Sequence, residues 1–233
     1  VNADRSDQIG LSGRSVGGEF VGCVMLMVVV VGSGLAAQSL SPGDIGLELL
    51  ENALAIGAGL FAIINIVGPV SGAHLNPIVT LVDACFGACS WVRALAYLPT
   101  QVLGCILGTI IANVMFDRTW ISWSTHHRAS APHFLSEIVA TTGLILLVFA
   151  LKRNGRHEQG AAAVGLYIFA ACFATSSATF ANPAVTIARS FTNSFTGIAA
   201  SSLPLYIGGQ LIGGALGAGL TMLLYPRRQT PTN

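Results

Sequence analysis

The sequence predicts an all-α membrane protein with six transmembrane helices and two re-entrant half-helices in an inverted repeat. Three observations predict it. The 233 residues are 53% hydrophobic and only 9% charged, with a mean hydropathy of +0.70, whereas soluble domains carry about 25% charge. Two short segments, Asn76-Pro77-Ile78-Val79-Thr80-Leu81 and Asn182-Pro183-Ala184-Val185-Thr186-Ile187, each follow a run of small and polar residues. Three features of the first half also recur in order in the second. Glu19-Phe20-Val21 answers to Glu137-Ile138-Val139, Asn76-Pro77 to Asn182-Pro183, and Gln101 with Gly104 and Gly108 to Gln210 with Gly213 and Gly217, all at similar offsets. Such order argues for duplication, with repeats over residues 15–116 and 134–225 of a single 1–233 domain.

The elements follow in order. Val16 to Ala37 is the first span. It is longer than the 7–15 apolar residues of a signal peptide, and Glu19 has no place in one. An acid inside a span must face protein or a water-filled cavity. Ser39 to Glu51 reads as a loop. The second span, Leu49 to Val67, contains Gly57 and Gly59 for close helix contact and is expected to break at Pro69 and Gly72. Asn is a strong helix cap and Pro suits the first helical turn, so Asn76 opens a helix. That helix runs to about Gly87, too short for a core that needs about 20 residues. Trp91 to Met115 is the third span.

Asp117 to His133 is the longest polar connection. Its Trp120 and Trp123 suit a membrane interface. His126, His127 and His133 lack a Cys or carboxylate pattern to complete a zinc site, so no metal ligand and no cofactor are expected. Phe134 to Leu151 is the fourth span, and Lys152 to Arg156 reads as a short basic loop. Ala161 to Ala174 is the fifth span, Asn182 opens the second half-helix, and Leu203 to Tyr225 is the sixth span. Three crossings per repeat insert the second half upside down, so the half-helices meet N-terminus to N-terminus at the midplane.

Eight of the eleven cationic residues (Arg5, Arg14, Arg93, Lys152, Arg153, Arg156, Arg227 and Arg228) fall on one side, against Arg118, Arg128 and Arg189 on the other. The positive-inside rule then puts both termini in the cytoplasm. A net charge of +1 gives no case for nucleic acid. The five cysteines are odd in number and form no CxxC. Cys85 and Cys89, one turn apart if helical, read as packing residues.

Ser71-Gly72-Ala73-His74-Leu75-Asn76-Pro77, the second Asn182-Pro183-Ala184, and the three-plus-three layout resemble the major intrinsic protein family, the aquaporins and aquaglyceroporins. The resemblance covers nearly the whole chain, from Glu19 to about Tyr225. It implies a six-helix bundle, one pore per subunit, a homotetramer in the cell (inner) membrane, and passive flow of water or small uncharged solutes. Asn76 and Asn182 would then present amide donors into a narrow pore. Glu19 and Glu137 would hold the irregular backbone before each half-helix, since buried polar backbone must be satisfied.

The departures from the family pattern narrow the expectation. The family places Arg after the second Asn-Pro-Ala, where this chain has Val185. Gap-free counting puts the other selectivity-filter positions on Ile56, Ala170 and Thr179, a set with no aromatic, histidine or charge. A wide, apolar constriction is expected. Arg189 stands four residues on, about 6 Å further along a helix, either as a displaced filter arginine or as a vestibule charge. Ile78 replaces the usual Ala. The wide filter and the Asn-Pro-Ala-Val-Thr-Ile-Ala-Arg run resemble the bacterial aquaglyceroporins associated with arsenic resistance. That resemblance implies glycerol and arsenite, a neutral trihydroxide, as solutes. A mainly water-conducting aquaporin is the nearer alternative. An ion-coupled secondary transporter is the alternative class, but the spans hold few ionisable groups beyond Glu19 and Glu137. No nucleophile–base pair stands in the spans, so an enzyme is not expected.

Overall fold

The computed structural model describes residues 11–226. Arg5, Arg227 and Arg228 of the charge argument lie outside that range. The described chain forms eight α-helices and no strand: α1 (Gly13–Leu40), α2 (Ile45–Ser71), α3 (Pro77–Cys85), α4 (Trp91–Met115), α5 (Ala131–Arg153), α6 (Gly160–Ala174), α7 (Pro183–Ala188) and α8 (Leu203–Leu224).

Local chemistry sets the helix ends. Ser12, Ser90 and Ser130 cap α1, α4 and α5 by accepting from Ser15, Arg93 and His133 backbone N–H groups. Asp44 caps α2 through the Leu47 N–H, and Glu48 complements the positive end of that helix. The expected Ser39–Glu51 loop therefore shrinks to Ser41–Asp44. Pro69 does not end α2. A proline removes one backbone donor, and here it lies in the last turn. The helix continues to Ser71, and left-handed Gly72 (φ 87°) closes it. Lys152 and Arg153, expected in a loop, belong to the last turn of α5. Cys85 ends α3, so Cys85 and Cys89 do not share a helix. Cys85 is exposed and Cys89 is buried.

Five of these helices are long and apolar enough to cross a membrane. The sixth crossing, α6, has 15 residues, about 22 Å of helix. A 3-10 turn at His157–Gln159 precedes it and adds about 6 Å. Leu54, Leu95, Leu103, Leu166 and Leu223 are exposed along the outer faces, as suits helices that meet lipid rather than water.

The helices approach closely where the sequence places glycine. A Cβ on Gly108 would lie 2.3 Å from the Val24 carbonyl oxygen, and one on Gly213 2.6 Å from that of Ile138. α1 packs on α4 and α5 on α8 through these contacts, while α2 and α6 meet at Gly57 and Gly165. The two halves thus build the same helix pair twice, and α3 and α7 sit between them.

Candidate pore

Each half-helix begins at its asparagine. Asn76 Oδ1 accepts the Ile78 N–H at 2.9 Å. Asn182 Oδ1 accepts the Ala184 and Val185 N–H groups at 3.0 and 3.3 Å. Pro77 and Pro183 occupy the first helical turn. The amide nitrogens reach across the repeat boundary. Asn76 Nδ2 donates to the Ala181 carbonyl at 2.8 Å, and Asn182 Nδ2 donates to the Leu75 carbonyl at 2.7 Å.

The backbone before each half-helix is strained. Ala73, Leu75, Thr179 and Ala181 all have φ between 46° and 52°, the left-handed region that side chains disfavour. Two fully buried glutamates hold it there. Glu19 accepts from the His74 and Leu75 N–H groups at 2.9 and 2.7 Å, from Ser71 Oγ and from Gln101 Nε2. Glu137 accepts from the Phe180 and Ala181 N–H groups at 3.0 and 2.8 Å, from Ser177 Oγ and from Gln210 Nε2. Each glutamine also donates to the threonine of its half-helix, Thr80 or Thr186. Neither glutamate borders the cavity described next.

A cavity of about 240 Å³ runs past both asparagines. At one end it meets His74, Asp83, Arg93, Lys152 and His157. At the other it meets Thr179, Phe180, Val185 and Arg189. Ile56, Leu60, Val79, Leu144 and Ile168 form much of the wall between. Of the expected filter residues, Ile56, Thr179 and Val185 line this cavity. Ala170 does not. It is exposed, one helical turn from exposed Leu166 and near exposed Phe173, whereas Ile168 takes the inward place. Counting without gaps ignores which face of α6 the turn before Asn182 selects. Ile78 is buried away from the cavity, packed against Gly214 and Ile145.

Arg189 is not a solvated charge. It is 5% exposed and borders the cavity. Its guanidinium lies over the Phe180 ring, 3.5 Å from the centroid, and its Nε donates to the Thr196 carbonyl. The end of the cavity at Thr179 and Val185 therefore also carries an aromatic ring and a charge. Sequence reading missed Phe180 because its neighbours gave no sign that its ring would turn to Arg189. It also missed Asp83, although a lone acid in the apolar run of α3 was a legible signal. Asp83 Oδ1 accepts from Lys152 Nζ at 2.8 Å.

The long polar connection packs over the second half-helix. Ser122 and Ser124 N–H groups donate to the Phe191 and Ser190 carbonyls. Arg128 donates to the Gly197 and Phe195 carbonyls. Burial, with Arg128 beside it, holds the His126 imidazole below its ordinary pKa. His127 and His133 bond instead to Ser201 and Ser130.

Residues 10–181 match the model of the major intrinsic protein family. The chain is 43% identical over 211 residues to the aquaglyceroporin AqpS of Rhizobium meliloti, covering 90% of each. It is 31% identical over 228 residues to the lens fiber major intrinsic protein of Rattus norvegicus, covering 92% of this chain and 82% of that one. Among solved structures, the aquaglyceroporin from Plasmodium falciparum superposes with a TM-score of 0.71 at 21% identity, over 89% of this chain and 94% of the other.

Proposed function

The chain belongs to the major intrinsic protein family, and from that premise we propose that it is a passive channel for small uncharged solutes, glycerol and arsenite as well as water. It is an integral membrane protein of a channel family and not an enzyme. The observation that carries the solute reading is the continuous cavity that passes Asn76 and Asn182 and reaches Val185. Each asparagine amide has a second N–H beyond the one tied to backbone, and both side chains border the cavity. A hydroxyl oxygen in transit accepts from these donors, while Ile56, Leu60, Val79 and Val185 present no competing bond.

Two helix N-termini face this midpoint, each with a positive dipole end. Their combined field opposes cations and hydrated protons. Val185 leaves the outer cavity without a long side chain where the family has an arginine. Arg189 is drawn against Phe180 and the Thr196 carbonyl, so its bulk lies along the wall. That arrangement suits glycerol and the similarly shaped arsenite trihydroxide better than a filter for water alone. The AqpS relative is named an aquaglyceroporin, which supports the same class. The subunit works as a homotetramer in the inner membrane, with both termini cytoplasmic.

Proteoliposomes carrying the full chain test the reading. Stopped-flow shrinkage and reswelling with sucrose, glycerol and arsenite should reveal rapid reswelling with glycerol and arsenite and none with sucrose. Water flux with no glycerol or arsenite entry would make it a water channel instead. Saturable flux that requires an ion gradient would make it a transporter.

A further inference from the structure

We propose that His74, Asp83 and Cys89 form a binding site for a divalent transition-metal ion of the zinc class at one end of the pore, and that the bound ion obstructs it. One ligand atom from each residue lies within 4.8 Å of the other two. His74 and Asp83 border the cavity, with side chains 8% and 4% exposed. No metal ligand is expected from the sequence, because the three residues are joined only by the fold of the half-helix and the turn after it.

The hydrogen bonds around His74 set which of its nitrogens faces the cluster. Thr80 Oγ1 spends its one proton on the Asn76 carbonyl, at 3.0 Å. It also accepts from Gln101 Nε2, which cannot be flipped because the same nitrogen donates to the Glu19 carboxylate. His74 Nδ1, 3.1 Å from Thr80 Oγ1, must therefore be the donor. A neutral imidazole held so presents the bare Nε2 lone pair, and that atom faces Asp83 Oδ2 at 3.4 Å. A proton shared between them makes the pair an ion pair, and a metal ion binding here displaces that proton to water. Lys152 occupies the other carboxylate oxygen and leaves Oδ2 directed at the site.

Imidazole, carboxylate and thiolate together suit zinc or cobalt(II), and they disfavour magnesium and calcium, which take oxygen ligands. Bond lengths of about 2.0–2.3 Å in a tetrahedral site put ligand atoms about 3.4–3.8 Å apart, so His74 Nε2 and Asp83 Oδ2, 3.4 Å apart, already stand at that spacing and Cys89 Sγ must close by up to about 1 Å. Cys89 Sγ gives up only a 3.5 Å contact to the Ser90 carbonyl. Its thiol proton passes to water as the thiolate binds. Because His74 and Asp83 line the cavity, water from the cavity completes the shell in this proposal, and the hydrated ion stands in the path of solute.

Cobalt(II) titration of the purified full chain in detergent tests binding without relying on the channel reading. One equivalent should bring up thiolate-to-cobalt charge-transfer absorption. Cys89→Ser should abolish that band, and Asp83→Asn should weaken binding at least about tenfold. Cys85→Ser, at an exposed cysteine, should leave it unchanged. In proteoliposomes, micromolar zinc should slow glycerol flux through the wild type and through Cys85→Ser, but not through Asp83→Asn. No cobalt band, or a band that follows Cys85 rather than Cys89, overturns the site. A cobalt band with zinc-insensitive flux overturns the obstruction. Absence of glycerol flux before zinc is added counts against the channel reading, and the cobalt result still decides the site.

Discussion

Asn76 and Asn182 each hold the backbone carbonyl that directly precedes the other: Asn76 Nδ2 binds the Ala181 carbonyl, and Asn182 Nδ2 binds the Leu75 carbonyl. The two half-helices are thereby pinned to one another at the point where their dipoles converge. Asn182→Asp keeps an acceptor for the Ala184 and Val185 N–H groups but loses the donor and adds a negative charge. The charge offsets the field of the helix ends. A cation conductance absent from the wild type should appear in planar bilayers. A folded mutant with intact solute flux and no cation leak would refute the exclusion argument.

The carboxylates of Glu19 and Glu137 hold strained backbone in place. Glu19→Ala would strip the His74 and Leu75 N–H groups of their acceptor, at about 1–3 kcal/mol for each. Glu19→Gln keeps one carbonyl oxygen and most of the volume. The Ala variant should melt well below the Gln variant in detergent, and the Glu137 pair should behave alike. Equal melting temperatures within each pair would count against the supporting role.

Val185 and Arg189 stand one turn apart and both border the cavity. Val185→Arg adds a permanently charged guanidinium with five donors beside the one already on Phe180. Glycerol and arsenite permeability should fall steeply and water permeability less. Equal loss of all three would indicate a general block. Unchanged arsenite flux in a correctly inserted mutant would remove Val185 from the filter.

Ile78 fits because Gly214 faces it. A Cβ on Gly214 would lie 2.5 Å from Ile78 Cγ2. Gly214→Ala should therefore destabilise the protein by about 1–3 kcal/mol. Ile78→Ala in the same chain should recover much of that loss, since the two positions share one space. Thermal melts of the two single mutants and the double mutant measure the coupling. Strict additivity would show that the two sites do not compete for that space.

Much of the architecture was legible because the bilayer constrains sequence so tightly. Apolar runs must be long enough to cross, and Asn-Pro caps a helix wherever it stands. A buried acid must also have donors, and Glu19 and Glu137 find theirs in the backbone before each half-helix. Helix ends were less legible. Of the two residues expected to break α2, Pro69 is passed and Gly72 stops it, because a proline near a helix end costs one bond and a left-handed residue redirects the chain.

The sequence by itself determined the helix count and the pair of asparagines, since each depends on local chemistry along one chain. Only the tertiary structure decided which face of α6 lines the cavity, where Ile168 stands and Ala170 does not. The same holds for Arg189 on the Phe180 ring, Ile78 in the gap of Gly214, and His74 against Asp83 and Cys89. These relationships depend on the rotation and approach of packed helices and on how a turn folds back. No spacing along the chain encodes them, because they are set by the sum of many contacts made elsewhere in the bundle.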